Sequence, residues 1–218
     1  MEFKTIYDAR AHPCRQSKIL YNRLGKHTRV ASMMNKAQPR DSGLLYEFTA
    51  NLVNIFKIRG TILGKLDLQK TVYFMKRLGV KIPFEFRWNL LGPYSYELAH
   101  YCTLLEIKGL LSYSGTFRLN EEKAEEYRLD LPKDVAEKIK RFFEDMDGLC
   151  EEKGYDRVVF IECAASLDFI NQNITAEGSR KDAVFSLLEK LKPEKAEKFR
   201  EMREDAWMLL IREKLVDQ

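Results

Sequence analysis

One short segment departs from an otherwise helical sequence, and it limits the folds that the chain can adopt. Over residues 84–90, large apolar residues occupy every second position and polar residues lie between them. This period of two is typical of a strand with one face in water. Pro83 suits the first position of such a strand, and Gly92-Pro93 is expected to end it. The fold must therefore hold a strand among helices.

Helical periods lie on both sides of this strand. Apolar residues at intervals of three and four predict helices over residues 44–59 and 66–78. Gly79 lies where a helix C-terminal cap is expected. After the strand, Ser95 is the predicted N-cap of a third helix over residues 95–108. Three helices are therefore expected around the strand.

A β-hairpin is predicted directly after the third helix. Ser114-Gly115 supplies the positive φ angle that a tight turn needs, and residues 110–113 and 116–119 form the two strands. Helix, helix, strand, helix and hairpin is the order of a winged-helix-like module. We assign this module to residues 44–119.

The C-terminal part, residues 120–218, is predicted to be helical throughout. Proline and serine residues suit the first turns of its helices, which are expected over residues 132–146, 155–171, 179–191 and 193–216. With 45% apolar residues, the chain can bury a core without disulfides or structural metals. The predicted fold class is mainly α with a small β-hairpin, in which a winged-helix-like N-terminal module packs against a C-terminal helical bundle.

Positive charge is concentrated ahead of the C-terminal part. Residues 1–43 carry nine Lys and Arg against three Asp and Glu, a formal charge of +6. The corresponding charge is +5 for residues 44–119 and −7 for residues 120–218. Because they contain few large apolar residues, residues 1–43 are predicted to be a basic N-terminal arm without a core of its own. The gradient is compatible with a nucleic acid, an acidic protein partner or mutual attraction of the two halves.

Several classes of protein are disfavoured by what the sequence lacks. No apolar run approaches the roughly 18 residues that span a bilayer, and the first residues do not resemble a signal peptide, so a cytoplasmic protein without membrane contact is expected. The cysteines form no CxxC pair, and His12, Cys14 and His27 lack a fourth ligand at a recognisable spacing. No GxSxG, HExxH, P-loop or GxGxxG motif is present. A protein that is not an enzyme and holds no metal or cofactor is therefore expected, although a catalytic site assembled only by folding stays open.

The most specific motifs lie between residues 68 and 98. They are Leu68-Gln69-Lys70, Tyr73-Phe74, Phe86-Arg87-Trp88, Gly92-Pro93-Tyr94-Ser95 and Glu97-Leu98. Together they resemble the YwgA-like proteins and, more distantly, the SocA/Panacea antitoxin domain. The resemblance covers residues 44–119 and continues weakly to Leu191-Lys192-Pro193 and Ala206-Trp207. It implies a winged-helix-like helical fold without a known catalytic centre, which in the antitoxin branch binds and neutralises protein toxins or presents them for degradation.

Five residues of these motifs are candidates for binding a protein partner: Gln69, Lys70, Trp88, Tyr94 and Ser95. Two predicted helix starts and the end of the strand converge at the Gly-Pro turn, so these side chains are expected to gather there as one surface. A purely structural interpretation stays open, in which the polar residues bond a loop or cap a helix and the tryptophan fills the core. On the first interpretation, the protein is a non-enzymatic, antitoxin-like regulatory binding protein.

A nucleic-acid-binding regulator is the alternative function. Its candidate contacts are basic residues of the arm, the second helix and the hairpin: Arg15, Arg23, Arg29, Lys65, Lys76, Arg77 and Arg118. The third helix is a poor reader of the major groove, because its outward face is expected to carry Glu97 and Glu106, which phosphates repel. A homodimer is compatible with either function.

Overall fold

The computed structural model describes residues 39–175 and 178–217. Helices make up most of this part of the chain, and its strands form two separate antiparallel hairpins. The predicted class, mainly α with a small β-hairpin, is confirmed. In chain order the elements are α1 (Pro39–Arg59), α2 (Gly64–Arg77), β1 (Arg87–Asn89), β2 (Gly92–Tyr94), α3 (Tyr96–Ile107), β3 (Leu111–Tyr113), β4 (Phe117–Leu119), α4 (Glu121–Ala124), α5 (Lys133–Lys153), α6 (Arg157–Asn173), α7 (Arg180–Leu191), a 3-10 turn (Pro193–Lys195) and α8 (Ala196–Arg212).

The first helix begins earlier than its apolar period predicts. α1 starts at Pro39 instead of Leu44, and Gly43 lies inside it. Proline is favoured in the first turn because backbone N–H groups there have no partner within the helix, so the N–H that proline lacks costs no hydrogen bond. The buried face is the predicted one, since Phe48 and Leu52 lie in the core. Residues 1–38 lie outside the described residues, so the division at residues 43 and 119 stays a prediction.

The alternating segment forms a hairpin instead of one strand. Only β1 at its C-terminal end is a strand, and it pairs antiparallel with β2, so that Trp88 lies opposite Pro93 and Asn89 opposite Gly92. Leu90 and Leu91 form the two-residue turn between them. The prediction that Gly92-Pro93 ends the strand is therefore wrong. Gly92, with φ of 78°, lets the chain reverse and start the second strand.

The second hairpin, β3 with β4, lies where the sequence predicts it. Its strand β4 also bridges to the connection between α1 and α2, because Phe117 N–H donates to the carbonyl of Ile62 at 3.1 Å. The order of helices and hairpins over residues 44–119 is thus close to the predicted one. Eighteen residues separate α2 from α3, however, because β1 and β2 lie between them.

Helix α6 is the centre of the structure. It packs against α2, α7, α8 and β2. Its small residues Ala164 and Ala165 are fully buried, which lets neighbouring helices approach closely. The same helix also buries four polar side chains: Glu162, Ser166, Asp168 and Asn171. The Ser166 hydroxyl has no hydrogen-bond partner among the described residues. Strand β2 packs against α6 at this point, where Gly92 lies next to Ser166.

The predicted helices of the C-terminal part are present, with shifted ends. α5 continues to Lys153, where Gly154 in the left-handed conformation ends it, instead of stopping near residue 146. Ser179 caps α7 as predicted. Pro193 opens a 3-10 turn before α8, and α8 ends at Arg212 instead of near residue 216.

None of the helices within residues 39–175 and 178–217 has the length and apolarity that crossing a membrane requires.

The close contact between Gly92 and α6 gives a testable prediction about packing. A Cβ on Gly92 would lie 2.5 Å from the Ser166 hydroxyl oxygen, in addition to the strain of its positive φ. We expect Gly92→Ala to destabilise the fold by more than the ~1–2 kcal/mol that left-handed backbone alone costs a residue with a side chain. Urea unfolding measures this loss.

Gly115→Ala is the matched control, because Gly115 has a similar φ of 83° and nothing within 4 Å of its Cβ position. Ser166→Ala in the Gly92→Ala background should recover part of the loss, since it removes the atom that clashes. Equal losses for Gly92→Ala and Gly115→Ala would show that the contact with α6 is unimportant.

Candidate functional site

Two buried lysines hold the β1–β2 turn, and we call them the lysine clamp. The Lys70 ammonium, on α2, donates to the carbonyl of Pro93 at 2.6 Å. The Lys192 ammonium, just after α7, donates to the carbonyl of Leu90 at 2.7 Å. Both lysines are fully buried. The hairpin is therefore fastened on both sides of its turn by groups that solvent does not reach.

A buried carboxylate partly balances this positive charge. Glu162 on α6 accepts hydrogen bonds of 2.6 Å from Lys192 and from Lys195. Glu162 and Lys192 are fully buried, and Lys195 is partly exposed. Because one carboxylate meets two ammonium groups through separate oxygens, the 3-10 turn that carries Lys195 is tied to the centre of the fold.

Lys70 lacks such a carboxylate partner within hydrogen-bond distance in the described part of the chain. Desolvation lowers its pKa to about 7, and the nearby charge of Glu162 opposes this shift only in part. Burial also lowers the pKa of Lys192, and the hydrogen bond that Lys192 donates to Glu162 opposes this shift. Lys70 is thus expected to exchange its proton near pH 7, far below the range of an exposed lysine.

The start of α3 is fixed to α2 by a second set of bonds. The Gln69 side chain donates to the carbonyl of Ser95 and accepts from its N–H, each at 2.9 Å. The Ser95 hydroxyl accepts from Leu98 N–H at 3.2 Å and so caps α3, as the sequence predicts. Helices α2 and α3 therefore keep one relative position at this point.

The far end of α2 is joined to α6 through Asp168. This carboxylate accepts two hydrogen bonds from Arg77, at 2.8 and 3.1 Å, and one from the hydroxyl of Tyr73 at 2.5 Å. Burial raises the pKa of Asp168, although Arg77 and Tyr73 both act to lower it. The pKa of Tyr73 is raised by burial and by the neighbouring carboxylate. This cluster holds α2 and α6 together.

The five predicted partner-binding residues do lie together at the turn, but not as one exposed surface. Gln69, Lys70 and Ser95 are buried and bonded within the chain, whereas Trp88 and Tyr94 are half-buried. Trp88 also packs on Phe169, with ring centroids 6.0 Å apart. That the five residues bind a partner stays a prediction. In this structure the first three bond within the chain and position the turn, because polar groups in the core bond internally.

The predicted nucleic-acid contacts differ in exposure and in the bonds that they make. Arg15, Arg23 and Arg29 lie outside the described residues. Lys65 and Arg118 are exposed. Lys76 is exposed and donates to the carbonyl of Phe84 at 2.8 Å. Arg77 is predicted to contact nucleic acid, but its guanidinium is already bonded to Asp168 and to the carbonyl of Leu215.

Sequence reasoning missed the exposed leucines at the turn. Leu90 is 71% exposed, Tyr96 is 62% exposed and Leu91 is also exposed. The rings of Tyr94 and Tyr96 are 5.0 Å apart, and Asn89 donates to the hydroxyl of Tyr96 at 3.0 Å. We call Leu90, Leu91, Tyr94 and Tyr96 the hairpin surface. The signal for it is the pair of leucines before Gly92, because side chains in a two-residue turn cannot reach the core.

Other features of the described residues are less distinctive. Within residues 39–175 and 178–217, no group of three or more His, Cys, Asp or Glu could hold a metal ion. Cys102, Cys150 and Cys163 are buried free thiols, and burial raises the pKa of Cys102 to about 12. A surface groove of about 320 Å³ lies between α5 and α8 and contains none of the predicted site residues; it is lined by Glu144, Asp145, Gly148, Leu149, Glu152, Asp205, Met208, Leu209 and Arg212.

Comparison with known proteins supports a YwgA-like relationship. The chain is 26% identical over 149 residues to the uncharacterized protein YwgA of Bacillus subtilis (strain 168), and the match covers 66% of this chain and 85% of that protein. No family model matches the chain. No solved structure matches it either.

Removing the buried carboxylate should cost far more than removing a surface one. Glu162→Gln leaves the ammonium groups of Lys192 and Lys195 without their counter-charge, so we expect a loss of about 3–5 kcal/mol in the free energy of unfolding. Asp145→Asn, which breaks a pair with Arg212 at the surface, should cost less than about 1 kcal/mol. Denaturant unfolding of both variants tests this, and equal losses would contradict it.

Lys70→Met should change how stability depends on pH. The pKa of Lys70 is lowered from 10.5 to about 7, so between these values the unfolded chain binds more protons than the folded chain. The contribution of Lys70 therefore makes stability rise with pH across this window, and the substitution removes it. Between about pH 7 and about pH 8.5, the free energy of unfolding, measured with urea, should rise by up to ~2 kcal/mol less in the variant than in the wild type.

Lys76→Met is the matched control, because Lys76 also donates to a backbone carbonyl but is exposed. It should keep the wild-type dependence on pH. The same pH dependence in the wild type and in Lys70→Met would show that the charge of Lys70 is not linked to folding.

Proposed function

We propose that this protein is a non-enzymatic regulatory binding protein that recognises a protein partner through the hairpin surface. The observation that carries the proposal is an exposed apolar turn, Leu90-Leu91, held on both sides by the lysine clamp. The role that the sequence assigns to all five motif residues is thereby divided. Gln69, Lys70 and Ser95 position the surface, Trp88 packs on Phe169 beside it, and Tyr94 belongs to it.

Exposure and rigidity together favour a binding role for this turn. Exposed apolar side chains that cluster next to polar residues mark interaction sites more often than isolated ones do. A turn that is already fixed loses little conformational freedom when a partner binds, which leaves more of the contact energy as affinity. Tyrosines beside leucines also supply the large, rigid contacts that are typical of the centres of protein interfaces.

The antitoxin interpretation is the more specific form of this proposal. It rests on the resemblance of the motifs to the SocA/Panacea domain, and the YwgA relative is itself uncharacterized. The bridge between Ile62 and Phe117, with the order of helices and hairpin, supports a winged-helix-like module. In this interpretation the module binds a protein toxin, and β1–β2 is an insertion that supplies the contact.

A nucleic-acid-binding role has weaker support from the described residues. Glu97 is exposed on α3, and eighteen residues separate α2 from α3, whereas a helix-turn-helix joins its two helices by three or four. Lys65 and Arg118 remain exposed for phosphate contacts. Binding of duplex DNA at about 50 mM salt that weakens when these two residues are neutralised would favour this alternative.

Affinity capture from extracts of the native host tests the proposal. The full-length chain should retain a stoichiometric protein partner, and the double variant Leu90→Ser/Tyr96→Ser should lose it, because both side chains are largely exposed and can change without disturbing the core. Circular dichroism and thermal unfolding should show that the variant keeps the wild-type fold. Quantitative mass spectrometry of the retained protein is the measurement.

The control replaces two exposed apolar residues that lie elsewhere, in Leu63→Ser/Met208→Ser. It should retain the same partner in the same amount. Retention of the partner by the hairpin variant, or its loss from both variants, would contradict a specific role for the hairpin surface.

A further inference from the structure

The outer face of α3 continues the hairpin surface along the helix. Tyr96, His100, Thr103 and Ile107 are all exposed, and Ile107 is 73% exposed. At 100° per residue these four positions lie within about 60° of one another around the helix axis, and they span about 16 Å along it. They therefore form one straight stripe, which begins beside the leucines of the turn.

Carboxylates lie on both sides of this stripe. Glu97 is about 100° from Tyr96 around the axis in one direction, and Glu106 is about 80° from it in the other. Glu97 is exposed and Glu106 is half-buried. Glu85 adds a further exposed carboxylate next to Glu97, since its N–H donates to the Glu97 side chain at 3.4 Å.

Positive groups also lie near the stripe. Lys65 on α2 is close enough to Cys102 to oppose the effect of Glu106 on the pKa of that thiol, and Lys123 donates to the carbonyl of Lys108. Arg87 is exposed on β1, and Lys108 follows the last residue of α3. An apolar seam with a charged residue on each side is the pattern with which helices choose a partner of opposite charge, as at the e and g positions of coiled coils. The stripe with its two carboxylates is thus complementary to a seam flanked by Lys or Arg.

We infer that the partner docks on α3 as an amphipathic helix whose apolar seam is flanked by Lys or Arg. This inference rests on the proposed function and names the chemistry of the partner. The seam covers Tyr96 and Ile107, and the flanking ammonium or guanidinium groups meet Glu97 and Glu106. Leu90 and Leu91 contact the end of the same seam beyond Tyr96.

Two synthetic helical peptides with the same leucine seam test the inference, one flanked by lysines and the other by glutamates. The full-length chain should bind the lysine-flanked peptide at least about tenfold more tightly in fluorescence anisotropy. This affinity should fall when the salt concentration rises, because exposed charges are screened. Glu97→Lys/Glu106→Lys should reverse the preference in favour of the glutamate-flanked peptide.

Glu151→Lys/Glu152→Lys is the control with the same change in net charge. These two glutamates are exposed near the C-terminal end of α5, where positive charge suits the helix dipole. This variant should keep the wild-type preference. Binding of neither peptide, equal binding of both, or the same effect from both double variants would overturn the inference.

The captured partner separates failure of this inference from failure of the proposed function. A partner that is lost from Leu90→Ser/Tyr96→Ser but retained by Glu97→Lys/Glu106→Lys would leave the hairpin surface as the binding site and refute the basic amphipathic helix. Loss of the partner from both of these variants, with retention by the α5 control, supports both. A partner that neither variant loses refutes both.

Discussion

A carboxylate in the middle of the core is the constraint on which the rest of this structure depends. Glu162 lies fully buried on the central helix, and moving such a group out of water costs several kcal/mol unless bonded cations offset it. Lys192 and Lys195 supply that charge, which places the turn after α7 against α6. Lys192 then has a donor left for the carbonyl of Leu90. The position of the β1–β2 turn is therefore a consequence of how one core charge is neutralised.

This arrangement separates the residues that carry the sequence resemblance into two physical roles. Gln69, Lys70 and Ser95 satisfy backbone groups of the turn and of the start of α3, and no water reaches them. Leu90 and Leu91 are exposed because the turn is held from behind. A polar motif therefore indicates how a surface is positioned better than it indicates which residues touch a partner. Buried polar groups form their hydrogen bonds inside the fold.

Local periodicity was sufficient to predict the helices and the second hairpin, because those signals depend on neighbours a few residues away. Ser95 and Ser179 were identifiable as caps for the same reason. Glu162 stands alone as a charged residue in the apolar run of residues 158–167, but its role was not identifiable, since its partners lie about thirty residues later. The sequence predicts a single strand in place of the first hairpin, because glycine followed by proline usually ends a strand. In the structure, the positive φ of Gly92 lets the chain reverse direction next to Ser166.

The link between the core and the exposed face has a consequence for how the surface can change. A substitution at Leu90 or Tyr96 acts mainly on contact chemistry, because solvent surrounds most of each side chain and the bonds that Tyr96 loses, with Asn89 and Tyr94, lie at the surface. A substitution at Lys70 or Glu162 acts on the fold first and on the surface only through the position of the turn. Under the proposed function, changes in partner specificity are therefore expected at the turn and along α3, where a substitution disturbs the fold little, and not in the residues that hold the turn in place.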